Sequence, residues 1–119
     1  MGILECLLWL TLNVYHEARG DGDDSQRAVA HVTLNRAREK GLPIKEVVTE
    51  PAQFSWYGRV PILPNDPDAF VNCLTNALIA LRDPDPTGGA THYHHLSVDP
   101  WWAGTMEVTG RFGTHFFYR

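Results

Sequence analysis

A glutamate at the end of an apolar helix stripe is the residue of this sequence best suited to acid-base chemistry. The stripe recurs at steps of four, three and four residues, which is typical of one helix face: Ile3, Leu7, Leu10 and Val14. Glu17 occupies the next position of that row. Burial and the negative end of the helix dipole both favour a neutral carboxyl, so the pattern predicts a raised pKa and a general acid. The alternative is that the helix ends earlier and Glu17 pairs with Arg19 or Arg36 in water.

A loop rich in aromatic residues, called the aromatic loop below, is the second candidate: Gln53, Phe54, Ser55, Trp56 and Tyr57. Polysaccharides are bound by flat apolar faces together with amide and hydroxyl groups, and this segment offers both. In the alternative interpretation Phe54 and Trp56 fill the core. That interpretation leaves Gln53 and Ser55 unexplained.

Histidines near the C-terminus raise the possibility of a metal site. His92 and His94 would share one face of a strand, and His115 lies in the expected partner strand, so a zinc-dependent peptidase is one alternative. The sequence contains no HExxH motif, and neither Cys6 nor Cys73 lies near the histidines in the chain. We therefore expect no metal and no cofactor.

The elements that must position these residues are mainly helical. Capping and stop signals predict helices from Ile3 to the glycines at 20 and 22, from Asp24 or Ser25 to Lys40, over 44–49, and from Asp66-Pro67 to Asp83-Pro84. Two segments bounded by glycine predict short antiparallel strands: TGGATHYHH and GTHFFYR. The predicted fold class is α+β, a small, mainly helical domain with a short antiparallel sheet near the C-terminus.

Composition limits the partners of the chain. Its 119 residues are 44% hydrophobic, which suffices for one domain over residues 1–119 with its own core, and we expect a monomer. A net charge of -4 without a basic stripe argues against nucleic acid. The apolar run at 3–12 is too short to span a bilayer and follows no basic segment, so we expect synthesis in the cytoplasm without a signal peptide and no membrane insertion. Cys6 and Cys73 are interpreted as core thiols.

Five blocks of the sequence together resemble the SleB-type cell-wall hydrolase family, the catalytic domain of spore-cortex-lytic enzymes and of some phage endolysins. In chain order they are YHEARGD, AVAHVTLNRA, VVTEPAQFSW, DPTGGATHYH and GTHFFYR. The resemblance covers nearly the whole chain. It implies a lysozyme-like fold that cleaves peptidoglycan glycan strands between N-acetylmuramic acid and N-acetylglucosamine, often as a lytic transglycosylase.

The resemblance also implies roles for individual residues. The motif residues carried over to this chain are Glu17 of EARG, Gln53, Phe54 and Ser55 of QFS, Tyr93 after the GGA turn, and His115 and Tyr118 of the closing block. The chain departs from the family pattern after Tyr93. His94, His95 and Leu96 stand where relatives commonly have an Asn-Pro type turn.

These observations combine into one hypothesis of function. Glu17 acts as acid and then as base, Tyr93 and Gln53 hold the sugar, and Trp56 or Trp102 supplies a stacking surface. Because no second carboxylate is evident, lytic transglycosylation is favoured over hydrolysis. We expect a phage endolysin without a separate wall-binding module, released from the cytoplasm to act on the wall. The alternatives are the zinc peptidase and a wall-binding module without catalysis.

Overall fold

The computed structural model describes residues 2–51 and 53–119. Its elements in chain order are the helices α1 (Ile3–Ala18), α2 (Asp23–Lys40), α3 (Ile44–Thr49) and α4 (Pro67–Arg82), the strand β1 (His92–His95), a 3-10 helix (Trp101–Thr105), and the strands β2 (Val108–Phe112) and β3 (His115–Tyr118). Four helices followed by one small antiparallel sheet confirm the predicted α+β class.

Only the second half of the α1 stripe belongs to the core. Leu10 and Val14 are fully buried, whereas Ile3 and Leu4 are each 78% exposed. The helix is therefore anchored at its C-terminal end. This is the end that carries Glu17.

Helix α4 packs through small side chains. Its core face is formed by Cys73, Ala77 and Ala80, while the larger side chains of Leu78 and Leu81 are 48% and 46% exposed. Small residues let α4 lie close to α1 and α2. The contact with these two helices is therefore formed by the small side chains and not by the leucines. Of the two thiols predicted to be in the core, Cys73 is buried and Cys6 is only half-buried; both are free.

The two long helices after α1 begin in different ways. Helix α2 begins at Asp23 after Gly22, not at a cap formed by Asp24 or Ser25, and no side chain caps it. Helix α4 has the predicted cap, because the Asp66 carboxylate accepts a hydrogen bond from the Ala69 amide.

The sheet has the strand order β1-β3-β2, with both pairs antiparallel. The sequence-based prediction missed β2, whose alternation is broken by Gly110 and by a register shift between Val108 and Gly110. Pairing of His95 with His115 and of Tyr93 with Phe117 puts these four side chains on one face of the sheet. The opposite face carries His92, His94, Phe116 and Tyr118.

The core has two parts. The larger cluster joins α1, α2 and α4 to the sheet through residues such as Val14, Val29 and Phe117. The smaller cluster lies beneath the aromatic loop and consists of Leu12, Val47, Val48, Phe54 and Trp56. Within residues 2–51 and 53–119, no helix combines the length and the apolar character needed to cross a membrane.

Candidate active site

A cleft of about 1000 Å³ lies where the end of α1, the aromatic loop and the sheet meet. The residues singled out in the sequence that line it include Glu17, Gln53, Phe54, Ser55, Tyr93 and His115. The chain thus brings together residues from α1, from a loop, and from the strands β1 and β3. A cleft of this volume accommodates a short carbohydrate segment.

Glu17 lies in the last turn of α1 and is half-buried at the cleft. Burial raises the pKa of its carboxyl, and this effect outweighs the opposing influence of the Tyr93 hydroxyl and of the Arg36 charge. The alternative pairing with Arg19 is wrong, because the Arg19 guanidinium donates to Tyr15 and to Asn65. A carboxyl of raised pKa in a cleft is better suited to act as a general acid than an ordinary exposed carboxyl.

The end of α1 is fixed by a buried glutamine of α2. The Gln26 side-chain amide donates to the carbonyl oxygens of Ala18 and Asp21, each at 3.2 Å, and so satisfies acceptors that the helix terminus leaves free. The Gln26 amide oxygen in turn accepts from Asn76 of α4 at 2.7 Å. Three helices therefore determine where the Glu17 carboxyl lies.

The aromatic loop alternates between exposed and buried side chains. Gln53 and Ser55 are exposed and line the cleft, whereas Phe54 and Trp56 are 3% and 6% exposed. The alternative interpretation, in which Phe54 and Trp56 fill the core, is confirmed, whereas binding of a polysaccharide by Gln53 and Ser55 stays a prediction. The amide and the hydroxyl face the cleft, and the rings fill the smaller core cluster.

The predicted stacking role of Trp56 is wrong. Its indole donates to the Asn13 amide oxygen at 2.8 Å, and its ring stacks on His16 at 4.2 Å between centroids. Trp56 is not among the residues that line the cleft. It is a structural residue that fixes the aromatic loop to α1.

Two buried donors point to the region of Glu17 without a protein partner. The Tyr93 hydroxyl lies beside the Glu17 carboxyl and favours its ionised form, but it makes no hydrogen bond of ordinary geometry with any described residue. Nη1 of Arg36 is also buried and unpartnered within the described chain, although Nε of the same group donates to the Thr91 carbonyl. Buried polar groups are nearly always satisfied, so these two donors beside the cleft are an exception.

Arg36 is oriented by the aromatic loop. Its guanidinium lies 4.8 Å from the centroid of the Phe54 ring. Burial lowers the pKa of Arg36, while Tyr93 and Glu17 act in the opposite direction. Phe54 of the QFS segment thus supports the arginine that lines the cleft.

A histidine and an aspartate form a hydrogen-bonded pair at the other side of Tyr93. Nδ1 of His115 lies 2.8 Å from Oδ2 of Asp21. The Asp21 carboxylate also accepts from the hydroxyls of Ser25, at 2.9 Å, and of Thr114, at 2.8 Å. Burial alone would raise the pKa of Asp21, but the hydrogen bonds from these donors together lower it. The carboxylate is therefore ionised at neutral pH.

The zinc site proposed as an alternative is contradicted by the strand register. His92 and His94 do share a face, but His115 belongs to the opposite face of the sheet. In the described parts of the chain, no group of three or more His, Cys, Asp or Glu residues is arranged to hold a metal ion. Trp102 packs with His92, His94 and Tyr118 and is not among the residues that line the cleft; its stacking on substrate stays a prediction.

Sequence reasoning missed the roles of Arg36 and of the Asp21 pair. Arg36 stands one turn beyond Val32 on the core-facing row of α2, where a charged residue is unusual, and this was the available signal. Asp21 gave no comparable signal. Two of its partners, Thr114 and His115, lie 93 and more residues away in the chain.

Comparisons with known proteins agree with this geometry. The profile of the cell wall hydrolase family matches residues 20–118, a segment that begins just after Glu17. The spore cortex-lytic enzyme of Halalkalibacterium halodurans is 33% identical over 109 residues, which cover 87% of this chain and 32% of that protein. The spore cortex-lytic enzyme of Bacillus subtilis is 31% identical over 110 residues, covering 87% and 34%. The chain thus spans about a third of the length of these relatives.

Two solved structures share the whole fold. The catalytic domain of the Bacillus cereus SleB protein superimposes with a TM-score of 0.81 at 27% identity, covering 100% of this chain and 93% of that one. The catalytic domain of the germination-specific lytic transglycosylase SleB from Bacillus anthracis gives the same TM-score and identity, covering 100% and 97%.

Proposed function

Because the chain belongs to the cell wall hydrolase family, we propose that it is an enzyme that cleaves the glycan strands of peptidoglycan between N-acetylmuramic acid and N-acetylglucosamine. Glu17 is the proposed general acid. The observation that carries the proposal is a half-buried carboxyl of raised pKa in the main cleft, beside two buried donors that lack protein partners.

The proposed reaction begins at the glycosidic oxygen. Glu17 donates its proton to this oxygen as the bond to the anomeric carbon breaks, and the leaving sugar departs with a free hydroxyl. Tyr93 and Arg36 supply donors for oxygen atoms of the substrate, and Gln53 and Ser55 provide an amide and a hydroxyl at the opposite wall.

The fate of the anomeric carbon favours lytic transglycosylation. Among the described residues, the other carboxylate that lines the cleft is Asp21, and it already accepts hydrogen bonds from Ser25, Thr114 and His115, so it is poorly disposed to act as a nucleophile. In the proposed route the 6-hydroxyl of the muramic acid attacks the anomeric carbon and loses its proton. The product is a 1,6-anhydro sugar.

The test is cleavage of purified peptidoglycan by wild-type protein and by Glu17→Gln. The substitution preserves shape and removes the proton, so release of soluble fragments should fall by about 10²–10⁴-fold. Glu5→Gln is the matched control, because Glu5 lies in the same helix, is half-buried, pairs with Lys45 and does not line the cleft. Normal cleavage by Glu17→Gln would refute the assignment of Glu17.

The products separate the rival functions. Fragments one water lighter than hydrolytic fragments indicate transglycosylation, and heavier ones indicate a muramidase. New amino groups without new glycan ends would indicate a peptidase. Binding to peptidoglycan without any soluble fragment would indicate a wall-binding module.

The proposal includes a biological setting. We propose that the protein acts as a monomeric phage endolysin, reaching the wall after release from the cytoplasm. The support is the likeness of its sequence blocks to a family that includes such lysins. Expression in a bacterial cytoplasm should lyse cells only when the inner membrane is permeabilised, and sedimentation should give the mass of one chain.

A further inference from the structure

The Asp21–His115 pair fixes which nitrogen of His115 carries a proton. Asp21 is ionised and accepts from two hydroxyls, so its contact with Nδ1 of His115 at 2.8 Å requires Nδ1 to be the donor. In the neutral imidazole the lone pair then resides on Nε2. The carboxylate thus selects one tautomer.

Nε2 of His115 is available to a ligand. Every hydrogen-bond contact of the ring within the described chain is made through Nδ1. Nε2 has no hydrogen-bond partner in the described chain, yet it is not one of the polar atoms that are fully sealed from solvent. His115 is buried as a residue but still lines the cleft. This nitrogen therefore belongs to a residue that lines the same cleft as Glu17, and it is not sealed from solvent.

The surroundings keep His115 neutral. Burial lowers its pKa, and this effect outweighs Asp21, which acts in the opposite direction. The other titratable groups that face it come from β1: His95 and Tyr93, whose rings lie 5.6 and 5.5 Å away between centroids, and His94, whose charge adds to the lowering. From α2 it contacts Ser25, and on β2 it pairs with Phe112.

Tyr93 links the two candidate proton-transfer groups. Its ring lies edge-on against His115, while its hydroxyl lies beside Glu17. The acid and the imidazole therefore flank one phenol ring. A substrate that contacts the Tyr93 hydroxyl lies between them.

We propose that His115 is a catalytic base that accepts the proton of the attacking hydroxyl, and that Asp21 is a positioning residue that holds Nε2 toward the cleft. This inference rests on the proposed glycan cleavage. Glu17 protonates the leaving oxygen as the glycosidic bond breaks. The 6-hydroxyl oxygen of the muramic acid then bonds to the anomeric carbon and passes its proton to Nε2, so that His115 takes the base step that the sequence-based hypothesis assigned to Glu17. The enzyme ends with Glu17 ionised and His115 protonated, and exchange with solvent restores both.

The experiment compares pH profiles of initial cleavage rates at low concentrations of purified glycan strands. In His115→Gln the rate at the optimum should fall by about 10²–10⁴-fold, the range expected for loss of a general base. The acid limb of the profile should also disappear, because no imidazole remains to be protonated. Asp21→Asn should retain more activity and move the acid limb to lower pH, since the carboxylate that favours protonated His115 is gone.

Controls separate catalysis from folding. His92→Gln changes a histidine of the same sheet that is not among the residues lining the cleft, and its profile should match the wild type. Thermal unfolding checks that His115→Gln remains folded. If that variant does not fold, restoration of cleavage in His115→Ala by added imidazole provides the same evidence.

The outcomes distinguish the two proposals. If Glu17→Gln is inactive while His115→Gln keeps the wild-type rate and acid limb, His115 is not the base and only this inference fails. Absence of glycan fragments from the wild-type protein overturns the proposed function itself. A folded His115→Gln with a lowered rate but an unchanged acid limb assigns His115 a structural role and also overturns the inference.

Discussion

Tyr93→Phe tests whether the unpartnered hydroxyl serves the fold or the reaction. The substitution leaves the aromatic ring, which packs 5.6 Å from Phe117 and 5.5 Å from His115 between centroids. It removes only a buried hydroxyl that lacks an ordinary hydrogen bond. Stability and activity should therefore change in opposite directions.

The magnitudes follow from the cost of burying polar groups. An unsatisfied buried hydroxyl costs about 1–3 kcal/mol, and the poorly aligned contact with Glu17 recovers part of it. We expect the free energy of unfolding to rise by about 0.5–1 kcal/mol, or Tm by about 2–5 °C. Loss of one hydrogen bond to a charged transition state costs about 1.5–3 kcal/mol, so cleavage should slow by about 10–150-fold.

The assays are urea unfolding and release of soluble peptidoglycan fragments across pH. Because the hydroxyl lowers the pKa of Glu17, its removal should also move the alkaline limb of the activity profile to higher pH. A loss of more than about 1 kcal/mol of stability would show that the hydroxyl is satisfied in the free protein. Wild-type activity in a stable Tyr93→Phe would show that substrate does not use it.

Two further predictions concern stability. Since the pKa of Glu17 is raised in the folded state, ionisation of its carboxyl favours unfolding. In urea unfolding, Glu17→Gln should therefore be as stable as the wild type near pH 4 and more stable as pH rises toward 7.5, by about 0.5–2 kcal/mol. An equal gain in stability at both pH values contradicts a buried carboxyl. Trp56→Phe should cost about 1–3 kcal/mol in thermal unfolding because the Asn13 amide oxygen loses its donor, and an unchanged Tm would mean that this bond contributes nothing.

Local signals in the sequence predicted the parts of the fold that depend on neighbouring residues. The Asp66 cap, the extent of α3 and the place of Glu17 at the end of α1 follow from spacing and capping chemistry within a few residues. The missed strand β2 has a glycine and a register shift, which remove the alternation on which such a prediction depends.

Contacts between distant segments were beyond the reach of the sequence. Trp56 looks like a sugar-stacking residue until Asn13, 43 residues earlier, is seen to bind its indole nitrogen. The histidine cluster looks like a zinc site until the strand register separates His115 from His92 and His94. In each case a partner chosen by the tertiary structure decides what a chemically versatile side chain does.

The attachment of the aromatic loop has a consequence for engineering this groove. The aromatic loop is held to α1 at Trp56 by Asn13, and the segment that follows it is held to the same helix at Ile62 by His16. Residues 57–61 between these two points are exposed. Tyr57 and Arg59 of that segment reach the groove. Grafting a different sequence into 57–61 would therefore reshape one rim, with both junctions seated on the helix that holds the acid, so that selectivity could be retuned without moving the reaction centre.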